Sequence, residues 1–136
     1  MKTNYKIISA QDFIKAKPSG ELDLEQSKKV LIELAAITKP PADYEILLDA
    51  REAYGNGTYV DMYQLVEVLG EHRSSFRNKI ALLSRGDHQF DNAKFMELCA
   101  KNRGFRVGAF TNFEEAIDWL TTSVDIEKTN SSREIS

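Results

Sequence analysis

Cysteine is almost missing from this chain: Cys99 stands alone among 136 residues. One thiol cannot close an intramolecular disulfide, and it excludes a metal site built on several cysteines. The usage fits a reducing compartment. Histidine is equally sparse, and His72 and His88, separated in the chain and without further ligands around them, do not form a metal-binding pattern. No apolar run approaches the roughly 20 residues needed to cross a bilayer. The opening stretch MKTNYKIISAQDF lacks the long apolar core of a secretory signal. A cytoplasmic location without membrane insertion is the expectation. Neither sign of charge dominates: 18 Lys and Arg stand against 21 Asp and Glu, a formal net charge of -3. That balance argues against a broad electrostatic hold on nucleic acid. Basic residues gather locally at Arg73, Arg77 and Lys79 and again at Lys101, Arg103 and Arg106, and these read as solvated faces, with phosphate-sized contacts as the alternative. No Gly-x-Ser-x-Gly elbow occurs. Cys99 falls inside an amphipathic segment, where it reads as a small core residue. No catalytic residue, metal ligand or cofactor is assigned.

What the chain does have is enough length for one domain with a proper core and a clear alternation of short apolar runs with amphipathic ones. YKIISA and DFIKAKPSGELD read as extended segments, with Pro18 marking an edge or strand end and Ser19-Gly20 permitting a bend. Asp23 and Gln26 have capping-box spacing, and Leu24, Val30, Leu31, Leu34 and Ile37 form a helical stripe that Pro40-Pro41 ends. YEILLDA reads as a strand buried on both faces. After the loop REAYGNG, Thr58 or Asn56 caps a helix through YVDMYQLVEVLGEHR, with Val60, Tyr63, Val66 and Leu69 on the inner side and Met62 and Leu65 widening it; Gly70 weakens its end. NKIALLSR is the next buried strand. Asp91 reads as the cap of a helix through AKFMELCAKNRG, with Phe95, Leu98 and Cys99 inward and Gly104 as its stop. FRVGAFT is the last strand. Thr111 to Glu114 reads as a capping box, opening a helix with Phe113, Ala116, Ile117 and Leu120 on one face. From Ser123 the pattern dissolves into polar residues, so residues 1–122 form one domain and 123–136 a disordered tail.

The order β-β-α-β-α-β-α-β-α specifies an α/β protein: a mixed, mostly parallel five-stranded sheet flanked by four helices. With ELDLEQSKKVL, YEILLDARE, NKIALLS and FRVGAFTNFEEAIDWL in that order, the chain resembles the STAS domain. This is the fold of bacterial anti-sigma-factor antagonists and of the cytoplasmic tails of sulfate transporters, and the likeness is nearest to the small STAS/SEC14-like bacterial proteins. The resemblance covers roughly residues 5 to 121. It implies a regulatory module that works by binding a partner and is not an enzyme. In the signalling members a strand ends in Asp and a phosphorylatable serine follows. Asp49 matches that aspartate, but Ala50, Arg51 and Glu52 come next, and the nearest hydroxyls are those of Thr58 and Tyr59. The usual phosphorylation switch is not expected.

Ligands of open α/β sheets bind beyond the carboxyl ends of the strands. The candidate partner- or ligand-binding residues are therefore Asp49, Arg51, Glu52, Tyr54, Gly57, Thr58, Tyr59 and Arg85. Tyr54 and Tyr59, if exposed, suit a protein contact, either with a different protein or with a second copy in a homodimer. Tyr63 is expected to pack inward. The alternative is a small-ligand sensor holding an anionic or apolar molecule, such as a nucleotide or lipid, near Arg51 and Arg85. Gly55 or Gly57 is expected to take a positive φ in the turn. A concave pocket would favour the ligand, an exposed flat loop the protein partner.

Overall fold

The structure, a computed structural model, describes residues 2–8 and 13–122; the segment 123–136, expected to be a disordered tail, lies outside them. A first strand, β1 (Lys2–Ile8), runs antiparallel to β2 (Phe13–Glu21), with Tyr5 opposite Ala16. The helix α1 (Leu24–Thr38) then leads to β3 (Glu45–Asp49), which lies parallel to β2 with Ile46 beside Ile14. A two-residue strand, β4 (Ala53–Tyr54), and the helix α2 (Tyr59–Glu71) follow. The chain continues through β5 (Ile80–Leu83), α3 (His88–Asn102), β6 (Val107–Phe110) and α4 (Phe113–Thr121). The main sheet has the order β1-β2-β3-β5-β6, all parallel after the opening hairpin. The expected architecture is present, with one addition: β4 pairs in parallel with the far end of β2, Gly20 beside Ala53. Pro18 sits in the stretch of β2 between its pairing with β3 and its pairing with β4, a position consistent with its lack of an N–H.

Strand alternation divides the core in two. Ile14, Ile46, Ile80, Leu82 and Val107 face α1, α2 and α3, packing on Val30, Leu34, Val66, Leu69, Met96 and Ala100. Phe13, Leu47, Ala81 and Leu83 face the other way, onto Ala116 and Leu120 of α4. Buried polar groups are tied in: Ser75 Oγ donates to Ala35 O, and Lys79 Nζ donates to the carbonyls of Trp119 and Thr122 at the end of α4.

Several local expectations are corrected. The cap of α3 is Asp87, not Asp91, because the helix begins a turn earlier and Asp87 accepts from Gln89 N. The cap of α4 is Asn112, whose Oδ1 accepts from Glu115 N, rather than a box from Thr111 to Glu114. Val60, Tyr63 and Leu98 are exposed. In α2 the stripe Leu65, Val66, Val68 and Leu69 takes the inward position. In α3 that position falls to Asn92, Ala93, Met96 and Ala100, and Phe95 and Cys99 are only half-buried. Phe113 is also exposed, beneath the Lys15 ammonium.

Candidate functional site

The strand ends carry two arrangements on opposite faces of the sheet. On the α4 face, Asp49 is 0 % exposed. Strand alternation places it there with Leu47, and the Arg51 guanidinium folds back to bind both of its oxygens, Nε to Oδ1 at 3.0 Å and Nη2 to Oδ2 at 2.9 Å. The Arg51 backbone N–H also donates to Oδ1. Burial pushes the Asp49 carboxyl up, but the hydrogen bonds from Arg51 and the charges of Arg51 and Lys15 outweigh it and hold the group below its usual value. Glu52 pairs with Lys17 at 3.0 Å. The pair Asp49–Arg51 is thus closed on itself.

The other arrangement is concave. On the face of α1, α2 and α3, just beyond the strand ends, the starts of these helices and the loop through β4 line a partly open cavity of about 480 Å³. That lies inside the size range of small-molecule sites. Its floor is apolar, with Leu31, Leu48, Leu65, Leu82, Ala93 and Met96; its rim carries Glu21, Asp23, Asp61, Asp87, Arg85 and His88. The rim is built by capping. Asp23 accepts from Gln26 N, and Gln26 returns the bond. Thr58 Oγ1 accepts from Asp61 N while Asp61 accepts from Thr58 N. Thr58 is therefore the cap of α2. At α3 the bond from Gln89 N, joined by Arg85, lowers the Asp87 pKa.

The loop is fastened over the cavity by side chains from the turn after β5 and from α3. Arg85 Nη1 donates to the carbonyls of Arg51 and Ala53 at 2.8 and 2.7 Å, and Gln89 Nε2 donates to Ala50 O at 2.8 Å. Asn92 Nδ2 donates to Gly57 O at 3.0 Å, and His88 Nε2 lies 3.3 Å from the same carbonyl. Neither Gly55 nor Gly57 takes a positive φ; those glycines are Gly20 and Gly104. Their smallness has another purpose. A Cβ on Gly55 would stand 2.5 Å from Leu22 O, and one on Gly57 would press on Met62 Cε and Asn92 Nδ2.

Of the residues expected at the site, Tyr54, Gly57 and Arg85 line the cavity, and Thr58 caps the helix beside it. Asp49, Arg51 and Glu52 form the closed arrangement on the other face. Tyr54 and Tyr59 are 61 % and 51 % exposed, and Tyr59 stacks on Phe95 with centroids 4.6 Å apart. Tyr63 is corrected to a surface residue whose hydroxyl accepts from Arg103 Nη2. Gln89, Asn92, Met62 and Met96 were missed. For Asn92 a signal existed: it sits in the spacing of the buried stripe Asn92, Ala93, Met96, Ala100, where an amide is out of place. Among the described residues no group of three or more His, Cys, Asp or Glu is placed to hold a metal ion, and no helix is long and apolar enough to cross a membrane.

No protein-family model matches the chain, and no curated protein matches it. A solved structure does: an uncharacterised protein of the DUF3478 family with a SpoIIAA-like fold, from Shewanella loihica PV-4. It is 20 % identical over 88 % of this chain and 92 % of that one, with a TM-score of 0.57. The chain has the SpoIIAA-like fold, which is the STAS fold. At this identity the likeness extends to architecture alone. In this STAS fold the loop that follows β3 serves as the wall of a cavity.

Proposed function

We propose that the protein is a non-catalytic binding module whose site is the cavity at the carboxyl ends of the strands, taking a small, largely apolar molecule. The observation that carries this reading is the concave, partly open pocket of about 480 Å³ over an apolar floor. The polar groups around it support binding rather than reaction, since Asp23 and Asp87 are engaged as helix caps and Asp61 as the partner of the Thr58 cap. The anionic version of the ligand finds less support. Arg51 is closed onto Asp49, and Arg85 is engaged with two carbonyls and Asp87. The neutral dye Nile red tests the reading. Wild type should bind it saturably with a blue-shifted emission. Ala93→Phe, which puts a ring into the cavity, should weaken binding at least about tenfold with an unchanged far-UV spectrum. Absence of saturable binding by wild type would sink the proposal.

A protein contact is the second reading, favoured by the exposed row of Tyr54, Tyr59, Val60 and Tyr63 beside the same loop. The partner is another protein or a second copy of the chain. Tyr59→Ala should abolish capture of that partner, or self-association in sedimentation; a wild-type chain that stays monomeric and captures nothing would count against this surface.

A further inference from the structure

We propose that the molecule taken by the cavity is an organic cation, an apolar body carrying an ammonium group, and that the carboxylates of Glu21, Asp23 and Asp61 at the mouth select it. This rests on the reading of the cavity as a ligand site and names the charge of what it takes. The chain's surplus of acid is gathered there. Among the described residues, Glu21, Asp23, Asp61 and Asp87 line the cavity, and Arg85 is the one Lys or Arg beside them. The chain has 21 acidic and 18 basic residues, so 17 of each are left for the rest of it. The whole formal excess of -3, counted with histidine neutral, stands around this opening. A cleft lined by one sign of charge over low-dielectric walls concentrates the field and draws in the opposite ion.

Three of the carboxylates are open to a ligand. Glu21 and Asp23 are exposed, and Asp61 is half-buried. The Glu21 side chain meets no donor or cation among the described residues. Asp23 gives Oδ1 to the N–H of Gln26 and Asp61 gives Oδ2 to the N–H of Thr58, so each keeps its second oxygen. Asp87 differs: Gln89 N and Arg85 Nε take both of its oxygens, and the pairing cancels the Arg85 charge. The helix starts do not neutralise the mouth, since each offers roughly half a positive charge against a full carboxylate.

The site also fixes the kind of cation. Among the described residues no three His, Cys, Asp or Glu converge, so a bare metal ion has no cage. The floor of Leu31, Leu65, Leu82 and Met96 calls for an apolar body behind the charge. Tyr54, which lines the same cavity and is exposed, adds a ring whose face favours a cation.

Three compounds of one chain length separate the alternatives: decylammonium, 1-decanol and decanoate. Each displaces Nile red from the full wild-type chain at neutral pH, below micelle-forming concentrations. Decylammonium should displace the dye at a concentration at least about tenfold lower than decanol, the gain that three solvent-screened carboxylates supply together. Decanoate should be weaker than decanol. Raising NaCl from about 0.02 M to about 0.5 M should bring the decylammonium-to-decanol ratio towards one. The double variant Glu21→Gln/Asp23→Asn, which keeps a capping oxygen at position 23, should narrow that ratio at least about threefold. Equal displacement by decylammonium and decanol from wild type, with Nile red still bound saturably, overturns the selection by charge and leaves the cavity reading standing. A ratio that neither salt nor the double variant changes overturns it as well. A wild-type chain that binds no Nile red removes both. Should the double variant fail to fold, the wild-type ratio and its salt dependence decide the matter alone.

Discussion

Asp49 shows how one buried charge sets a pH limit on the fold. Its carboxylate is fully enclosed and doubly bonded to Arg51, and its pKa lies below the usual value despite burial. In the unfolded chain it returns to about 3.9. The ionised pair therefore stabilises the protein fully above about pH 5 and loses that contribution as the pH falls through the lowered folded value. Asp49→Asn keeps the shape and removes the charge. It should cost about 1–3 kcal/mol at pH 7. Urea midpoints should show wild type losing its advantage over the variant as the pH drops from 5 to 3, whereas a constant difference across that range would show that the pair carries no such role. From the sequence, Asp49 was legible as a strand-end carboxylate. That Arg51, two residues on, would turn back to close on it was not, because this needs the bend after β3, which no residue pattern announces.

At the scale of elements, two glycines with opposite requirements stand near the two ends of α2. Gly55 follows β4 with no room for a side chain, since a Cβ would meet Leu22 O at 2.5 Å, and backbone there cannot step aside without undoing the pairing of β4 with β2. Gly70 lies in the last turn of α2 with nothing within 4 Å. Gly55→Ala should lower stability by about 1–3 kcal/mol through overpacking. Gly70→Ala should raise it by about 0.5–1 kcal/mol by removing freedom from the unfolded chain. Chemical denaturation of the two variants checks both signs, and a neutral Gly55→Ala would mean that β4 is loosely held. Those elements that announce themselves locally were legible: the Asp23–Gln26 box of α1, the apolar run of β3, the Gly104 stop of α3. The inward faces of α2 and α3 were not. Both helices are apolar on more than one side, so periodicity allows a second stripe, and the sheet and neighbouring helices decide which one is covered.

The cavity belongs to the whole molecule. Its lining comes from β2, α1, β3, the β4 loop, α2, β5 and α3, and no window of sequence contains more than a fragment of it. The sequence located the strand ends as the place to look, which follows from topology alone. It looked to Arg51 and Arg85 as ligand contacts; in the structure Asp49 engages Arg51, and the loop's carbonyls and Asp87 engage Arg85. The far margin of the sheet is a property of the same scale. Among the described residues β6 pairs only with β5, yet its Ala109 N–H is already met by Glu97 Oε1 reaching across from α3 at 3.0 Å. A stray strand arriving there finds a hydrogen-bonding site filled and a negative charge standing over it. That contact works as a bumper on the flank, one charged side chain set against sheet-to-sheet zipping between copies.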